Sequence, residues 1–383
     1  MRIPFMVPYL TGQELEYIEA AIKGNQLSGD GKFTKLVQQW LEEKYQPRRA
    51  ILTTSATHAL ELAALLIDLQ PGDEVLMPSF TFPSTANAVC LRGAKPVFVE
   101  IDEKTLNIDP EDVAAKVTPA TKAIIPVHYA GVACEMDRLM EIANEQNLWV
   151  VEDAAQAINA KYRQKYLGTL GHLGCFSFHG TKNITAGEGG ALLINIEDPR
   201  LKERAEIICQ KGTNRLQFIR GEVDKYTWVD IGSSYVPSDI LMAFFFAQLN
   251  QIDKITLKRK QIHEYYMLHL QPYADQGLIS LPSIPENCDS NYHLFYLLFS
   301  DEKTRNQVKE ELGKMEIQTS FHYIPLHSSP MGRRLGYSAP DLALTEKISR
   351  CLLRLPFSTG MSEVEITYVI ESLRKIFQKI WGI

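Results

Sequence analysis

Three segments of the chain put residues capable of chemistry where an apolar run gives way to a polar turn. In Cys175-Phe-Ser177-Phe-His-Gly-Thr-Lys182-Asn183 an apolar run leads to one lysine, and Gly187-Glu-Gly-Gly190 follows. Most lysines are solvated surface groups. One that follows directly from a central strand can be buried, which lowers its pKa and lets its free amine form a Schiff base with a carbonyl. In Trp149-Val-Val-Glu-Asp153-Ala-Ala-Gln156 two acids close a very apolar run. Asp153 can cap the following helix, or it can pair with a cationic ring nitrogen and keep that ring protonated. In Leu52-Thr-Thr-Ser55-Ala-Thr57 small hydroxyl residues join a run to a helix. They can cap the helix or offer hydroxyl and backbone N–H donors to an anion at its N-terminus.

The combination says more than any one piece. A phosphate cup, an acid for a pyridine nitrogen and a Schiff-base lysine, in that order, are what pyridoxal phosphate needs. The motifs of nucleotide hydrolysis, dinucleotide-dependent hydride transfer and serine hydrolysis (GxxxxGK[ST], strand-linked GxGxxG, GxSxG) are absent. The nine histidines show no HExxH spacing and the six cysteines no CxxC pair, so no metal is assigned. Free thiols in a reducing compartment fit the cysteines better than a disulfide framework.

These residues need a scaffold that gathers them. From about residue 50 to 195, apolar runs at Ala50–Thr53, Glu74–Met77, Pro96–Ile101, Lys122–Val127, Leu148–Glu152, Cys175–His179 and Ala191–Ile194 alternate with helical stretches at Thr57–Leu69 and Glu135–Asn147. Runs without strict alternation read as strands buried on both faces. The expected fold class is α/β, a mostly parallel sheet flanked by helices, with ligands at the carboxyl ends of its strands. Residues 198–270 read as largely helical. Beyond them, Tyr292–Phe299 and Ile317–Ile324 read as strands around a helix at Lys303–Lys314, and Ser362 with Glu365 opens a last helix by a capping box. The expected domains are an N-terminal segment 1–30, a large α/β domain 31–270 and a small α+β domain 271–383.

Composition sets outer limits. Hydrophobic residues are 45% and charged residues 22% of the 383, which excludes a disordered or coiled-coil chain. A net charge of -6 argues against a nucleic-acid partner. No apolar run approaches the roughly 18 residues of a bilayer span, and the start MRIPFMVPYL does not read as a signal peptide. A cytoplasmic protein with no membrane partner is expected.

At Ser55-Ala-Thr57, Pro78-Ser-Phe-Thr-Phe82, Glu152-Asp-Ala-Ala-Gln156, Phe176-Ser-Phe-His-Gly-Thr-Lys182-Asn183 and Gly187-Glu-Gly-Gly190 the chain resembles the DegT-type sugar aminotransferases, which depend on pyridoxal phosphate and have its fold type I. The likeness runs from Pro4 to the final helix. It implies that Lys182 holds the cofactor and moves protons, and that Asp153 binds the pyridine nitrogen. Gln156 would lie near the phenolic oxygen, Phe82 would stack on the ring, and Ala56, Thr57 and Ser177 would hold the phosphate. Many members have an Asn, reaching the neighbouring subunit's cofactor, where this chain has Ser234. The resemblance also implies a homodimer with shared active sites. Substrate contacts are expected from Gly29 and Asp30, from His322, Tyr323 and His327, and from Arg215 and Arg220 as partners of a diphosphate, although solvated arginines are an equal reading. The implied reaction passes an amino group from L-glutamate through pyridoxamine phosphate to a keto carbon of a nucleotide-linked deoxysugar. Val127–Asp137, Asp224–Trp228 and Asp230–Tyr235 resemble the branch that aminates dTDP-4-dehydro-6-deoxy-D-glucose at C4. Its rivals are amination at C3, a dehydratase in which a His replaces the lysine, and a regulator without chemistry.

Overall fold

A computed structural model describes residues 1–382. All seven apolar runs become strands of one sheet: β1 Arg49–Thr53, β2 Glu74–Pro78, β3 Lys95–Val99, β4 Thr121–Ile124, β5 Trp149–Asp153, β6 Leu173–Ser177 and β7 Gly190–Ile194. Their order is β1-β7-β6-β5-β4-β2-β3. The pairs from β6 through β3 are parallel, and β7 alone runs antiparallel to both its neighbours. Successive side chains point to opposite faces of a strand. Leu52, Leu76, Val150 and Phe176 therefore enter one core, and Ile51, Val75, Val151 and Cys175 the other. Both faces are covered, which is why the strands read as continuous apolar runs.

A second sheet of β8 Ile279–Ser280, β9 Tyr296–Phe299 and β10 Leu352–Arg354 is antiparallel throughout. It packs with the helix Glu363–Trp381, whose capping box at Ser362 and Glu365 forms as expected and whose Ile366, Val369, Ile370, Leu373 and Ile376 are buried in a third core. The helix Ile252–Asp275 is common to both bodies. Ile252 and Ile255 enter a large-sheet core, and Ile262, Tyr266 and Leu270 enter the third. The expected border at residue 270 thus falls inside a helix.

The expected strand Ile317–Ile324 does not form. Ile317 bridges Ile3 near the chain start, and Ser320 bridges Arg354. Because the segment changes partners within three residues, no continuous ladder develops, and Phe321–Ile324 is left without strand pairing.

Candidate active site

Sheet register gathers the three segments. Thr53 and Ser177 both pair with Gly190, so the ends of β1 and β6 lie in one row. Gly190 is required there, since a Cβ would lie 2.4 Å from the Ser55 carbonyl carbon and 2.5 Å from the Ala56 nitrogen. Ser55 caps the helix Ala56–Leu66 by accepting from the His58 N–H at 3.1 Å. The first amides of that helix, Ala56 and Thr57, have no acceptor among the described residues. The Thr57 hydroxyl lies 2.7 Å from the Ser84 hydroxyl, and Ser177 stands in the same row, 5% exposed. Open amides at a helix N-terminus beside hydroxyls suit a phosphate.

Asp153 ends β5, 5% exposed. Thr85 donates to its Oδ2 at 2.8 Å and the Ala155 N–H to its Oδ1 at 3.2 Å. Burial raises its pKa, and these hydrogen bonds with the charges of Lys182 and His128 only partly oppose that. A cation brought against this carboxylate would favour its ionised form. The neighbouring acid does something else. Glu152 is fully buried and accepts from the amides of Gly168, Leu170 and Gly171 and from His128 Nε2 at 2.6–2.8 Å. The Cys134 N–H donates to His128 Nδ1, which assigns the ring proton to Nε2.

Lys182 sits in the turn after β6, its amide donating to the His179 carbonyl at 2.9 Å. Its ammonium makes no hydrogen bond or ion pair among the described residues. Burial lowers its pKa to about 8, Asp153 opposing and Arg354 assisting. The residue as a whole keeps intermediate exposure. Asn183 anchors the turn, donating to the Asn291 carbonyl at 2.8 Å. These residues fit the cofactor expected from the sequence: a free amine, a buried carboxylate without a cationic partner, and an open anion cup.

Around them lie further groups. Gln156 accepts from the Ala130 N–H and donates from Nε2 to the Tyr323 hydroxyl, both at 2.9 Å. Phe82 precedes the helix Pro83–Cys90 and is 60% exposed, so it is not an ordinary core residue. His322 stacks on Tyr323 with ring centroids 3.7 Å apart. Burial, Arg354 and Lys182 hold His322 well below the usual histidine range. Its Nε2 accepts from Arg354 Nη1 at 2.8 Å, and its Nδ1 faces the Tyr129 hydroxyl at 3.3 Å.

The other expected substrate residues do not join this cluster. His327 is fully buried, its Nδ1 2.7 Å from the Ser79 hydroxyl and its Nε2 3.4 Å from the Ala339 carbonyl. It ties two segments together and has no open face for a ligand, which corrects its expected substrate role. Asp30 accepts from Gln210 Nε2 at 2.7 Å and lies 4.0 Å from Arg215 Nη1. Gly29 closes on Val236, where a Cβ would lie 2.2 Å from Cγ1. Arg220 is held by Glu206 and Glu222 at 2.8 and 2.7 Å, so its charge is already matched within the chain. Asp30, Arg49, Glu206 and Arg220 line a cavity of about 350 Å³ whose wall includes neither Lys182 nor Asp153. Ser234 is exposed and bridges Gln210. Sequence reasoning missed Thr85, Tyr129 and Arg354. For Arg354 a signal existed, a lone charge inside Leu352-Leu-Arg-Leu-Pro-Phe357.

The family model described as the DegT/DnrJ/EryC1/StrS aminotransferase family matches residues 8–374. The chain is 32% identical over 386 residues to the spore coat polysaccharide biosynthesis protein SpsC of Bacillus subtilis, covering 98% of this chain and 97% of that one. It is 30% identical over 376 residues to the GDP-perosamine synthase of Escherichia coli O157:H7, covering 98% of each. Among solved structures, Spr1654 of Streptococcus pneumoniae in its PLP form matches with a TM-score of 0.91 at 25% identity over 99% of both chains. Its PMP form matches with a TM-score of 0.92 at 26% identity, over 99% of this chain and 100% of that one.

Proposed function

Because this chain belongs to the DegT/DnrJ/EryC1/StrS aminotransferase family, we propose that it uses pyridoxal phosphate to pass an amino group from L-glutamate to a keto carbon of a nucleotide-linked deoxysugar. The observation that carries this is the unpartnered amine of Lys182, held at a pKa of about 8 within the electrostatic reach of buried Asp153.

Bound pyridoxal phosphate supplies an aldehyde that takes up the amino group and a ring that delocalises negative charge from the adjacent carbon. The chain supplies the rest. Near pH 8 a large fraction of Lys182 Nζ is neutral, so it can attack a carbonyl and afterwards accept a proton from one carbon and return it to another. Asp153, fixed by Thr85, would keep a ring nitrogen protonated. The amides of Ala56 and Thr57, with the hydroxyls of Thr57, Ser84 and Ser177, would hold the phosphate. Phe82 would cover one ring face, and Gln156, steadied by Ala130 and Tyr323, would meet the phenolic oxygen.

The specific substrate we favour is dTDP-4-dehydro-6-deoxy-D-glucose, giving dTDP-4-amino-4,6-dideoxy-D-galactose, on the likeness of segments 127–137 and 224–235. The relative named as a GDP-perosamine synthase supports a GDP-linked sugar as the second reading. A role in making surface polysaccharide is in keeping with SpsC, a spore coat polysaccharide biosynthesis protein. Two copies of the chain are proposed to share their sites. Phe218, Ile219, Tyr226, Trp228, Val229 and Ile231 are exposed on the arm that ends near Ser234, and an apolar patch of this kind suits burial against a second copy. Among the described residues no helix is long and apolar enough to cross a membrane.

The test mixes holoenzyme and L-glutamate with dTDP- and GDP-linked 4-keto-6-deoxysugars and a 3-keto isomer. Release of 2-oxoglutarate beyond one equivalent per subunit with the dTDP 4-keto sugar, and an NMR spectrum placing the amine at C4, is the expected result. Acceptance of the 3-keto isomer alone refutes the C4 assignment, and acceptance of the GDP sugar alone refutes the nucleotide.

A further inference from the structure

Gln156 keeps one open donor. Its backbone carbonyl accepts from Asn291 Nδ2 at 2.9 Å. Its Oε1 accepts from the Ala130 N–H at 2.9 Å, which assigns the other end of the amide as Nε2. One Nε2–H donates to the Tyr323 hydroxyl at 2.9 Å. A side-chain amide carries two N–H donors, and the second has no acceptor among the described residues. Gln156 is only 6% exposed, so the fold leaves a nearly buried donor unmade, which costs free energy until a ligand takes it.

The direction of that donor depends on Tyr323. The Ala130 contact fixes Oε1 but leaves the amide free to swing about it. The Tyr323 contact fixes a second point, and because the amide is planar the remaining N–H then points one way. An amide nitrogen cannot accept, so the phenol oxygen is the acceptor in this pair. Burial holds the phenol well above the ordinary tyrosine range, with Arg354 only partly opposing. It therefore stays neutral, and the contact persists, throughout the working pH range.

Tyr323 is itself held by the small body. Phe321–Ile324 has no strand pairing, yet Ser349 Oγ, on the helix Ala343–Cys351, donates to the Tyr323 carbonyl at 2.5 Å. The ring stacks on His322 and meets Phe80 edge-on, with centroids 5.6 Å apart. Asn291, which fixes the Gln156 backbone, also precedes β9 of the small body. A donor on the large body is thus aimed from the small one.

We infer that Tyr323 is a positioning residue, which aims the open N–H of Gln156 at the cofactor's phenolic oxygen and so lets the small body set how well that oxygen's negative charge is stabilised. This rests on the reading above that Gln156 meets the phenolic oxygen. When Lys182 holds the cofactor, its nitrogen and that oxygen share a proton. A donor from Gln156 helps the oxygen most when the shared proton is absent, so it lowers the pH at which the proton leaves. The visible absorbance of the holoenzyme reports that pH.

The test titrates the absorbance of unaltered holoenzyme, Tyr323→Phe, Gln156→Leu and the double variant. Tyr323→Phe removes one oxygen and keeps the ring on His322, and Asp153 and Arg354 are present in all four proteins. The midpoint should rise by about one pH unit in Tyr323→Phe and at least as far in Gln156→Leu. Adding Tyr323→Phe to Gln156→Leu should move it no further, since the two act as one unit. No shift in Gln156→Leu refutes the reading of Gln156, and the inference falls with it. A shift in Gln156→Leu with none in Tyr323→Phe overturns the inference alone, as does a further shift in the double variant, which would mean that the phenol acts directly. Binding gives a second reading that needs only Tyr323→Phe. The preference of the cofactor-free chain for pyridoxal phosphate over its 3-deoxy analogue, which lacks the phenolic oxygen, should fall about tenfold in that variant. An unchanged preference overturns the inference.

Discussion

Glu152 and Asp153 are adjacent in β5 and take their hydrogen bonds from separate sets of donors. Glu152 accepts from three amides and His128, and Asp153 from Thr85 and Ala155. Strand alternation sends the two carboxylates to opposite faces. Every acceptor position of Glu152 is engaged by the fold, while Asp153 has no cationic partner in direct contact.

The two acids should therefore fail differently when neutralised. Glu152→Gln sets an amide NH2 against backbone N–H donors and should cost about 3 kcal/mol of stability, with cofactor colour kept in the folded fraction. Asp153→Asn should leave the fold intact and slow transamination about 10- to 100-fold, the worth of one charge-assisted hydrogen bond. Burial raises the Asp153 pKa, so its contribution to cofactor-free stability is full below the usual carboxylate range and lost as pH rises through the raised value. Thermal melts of the cofactor-free proteins should show Asp153→Asn gaining on the unaltered chain toward neutral pH. A loss of stability in Asp153→Asn equal to that in Glu152→Gln would contradict the division.

Cofactor loading should follow the titration of Lys182. Its pKa lies near 8 instead of the usual 10.5. The rate of recombination of cofactor-free protein with pyridoxal phosphate should rise about tenfold per pH unit below 8 and level off above it. The same depressed pKa makes cofactor-free stability climb between about pH 8 and 10.5, where the unfolded chain still binds the proton. Lys182→Met should lack that climb. Stopped-flow absorbance and calorimetry across this range check both.

His327 was expected at the substrate and is found inside the protein. His327→Ala removes the Ser79 contact and opens a cavity, and should cost about 2–4 kcal/mol of stability. The KM for the sugar nucleotide should not change in the protein that remains folded. A raised KM without a lower melting temperature would return His327 to the substrate.

The arm between residues 213 and 234 should govern assembly. Trp228 is 75% exposed in the single chain. Trp228→Glu should weaken self-association at least ~30-fold, read by sedimentation, with activity falling at concentrations where the variant dissociates.

The large sheet was legible because its strands are buried on both faces and have no amphipathic ambiguity. Lys182, Asp153 and Thr57 were legible because each stands at or just past the end of one of those strands, where neighbouring register decides what meets. The small body was less so. Ile317–Ile324 is apolar enough for a strand, but its partners, Ile3 and Arg354, lie far off in sequence, and local pattern carries no trace of such pairings. Arg220 and His327 have the right chemistry for substrate contacts, and only tertiary neighbours show that Glu206, Glu222 and Ser79 already engage them. Arg354 was overlooked for the opposite reason. A charge within an apolar run looks like an interruption until the fold shows that its Nε is buried without an acceptor among the described residues.

The most direct test of the central claim is a single-turnover measurement on holoenzyme mixed with L-glutamate and no sugar. The predicted result is loss of the cofactor's yellow absorbance with one equivalent of 2-oxoglutarate released per Lys182, and neither event in Lys182→Ala. Absence of 2-oxoglutarate from the unaltered enzyme, or its release from Lys182→Ala at an undiminished rate, would contradict it.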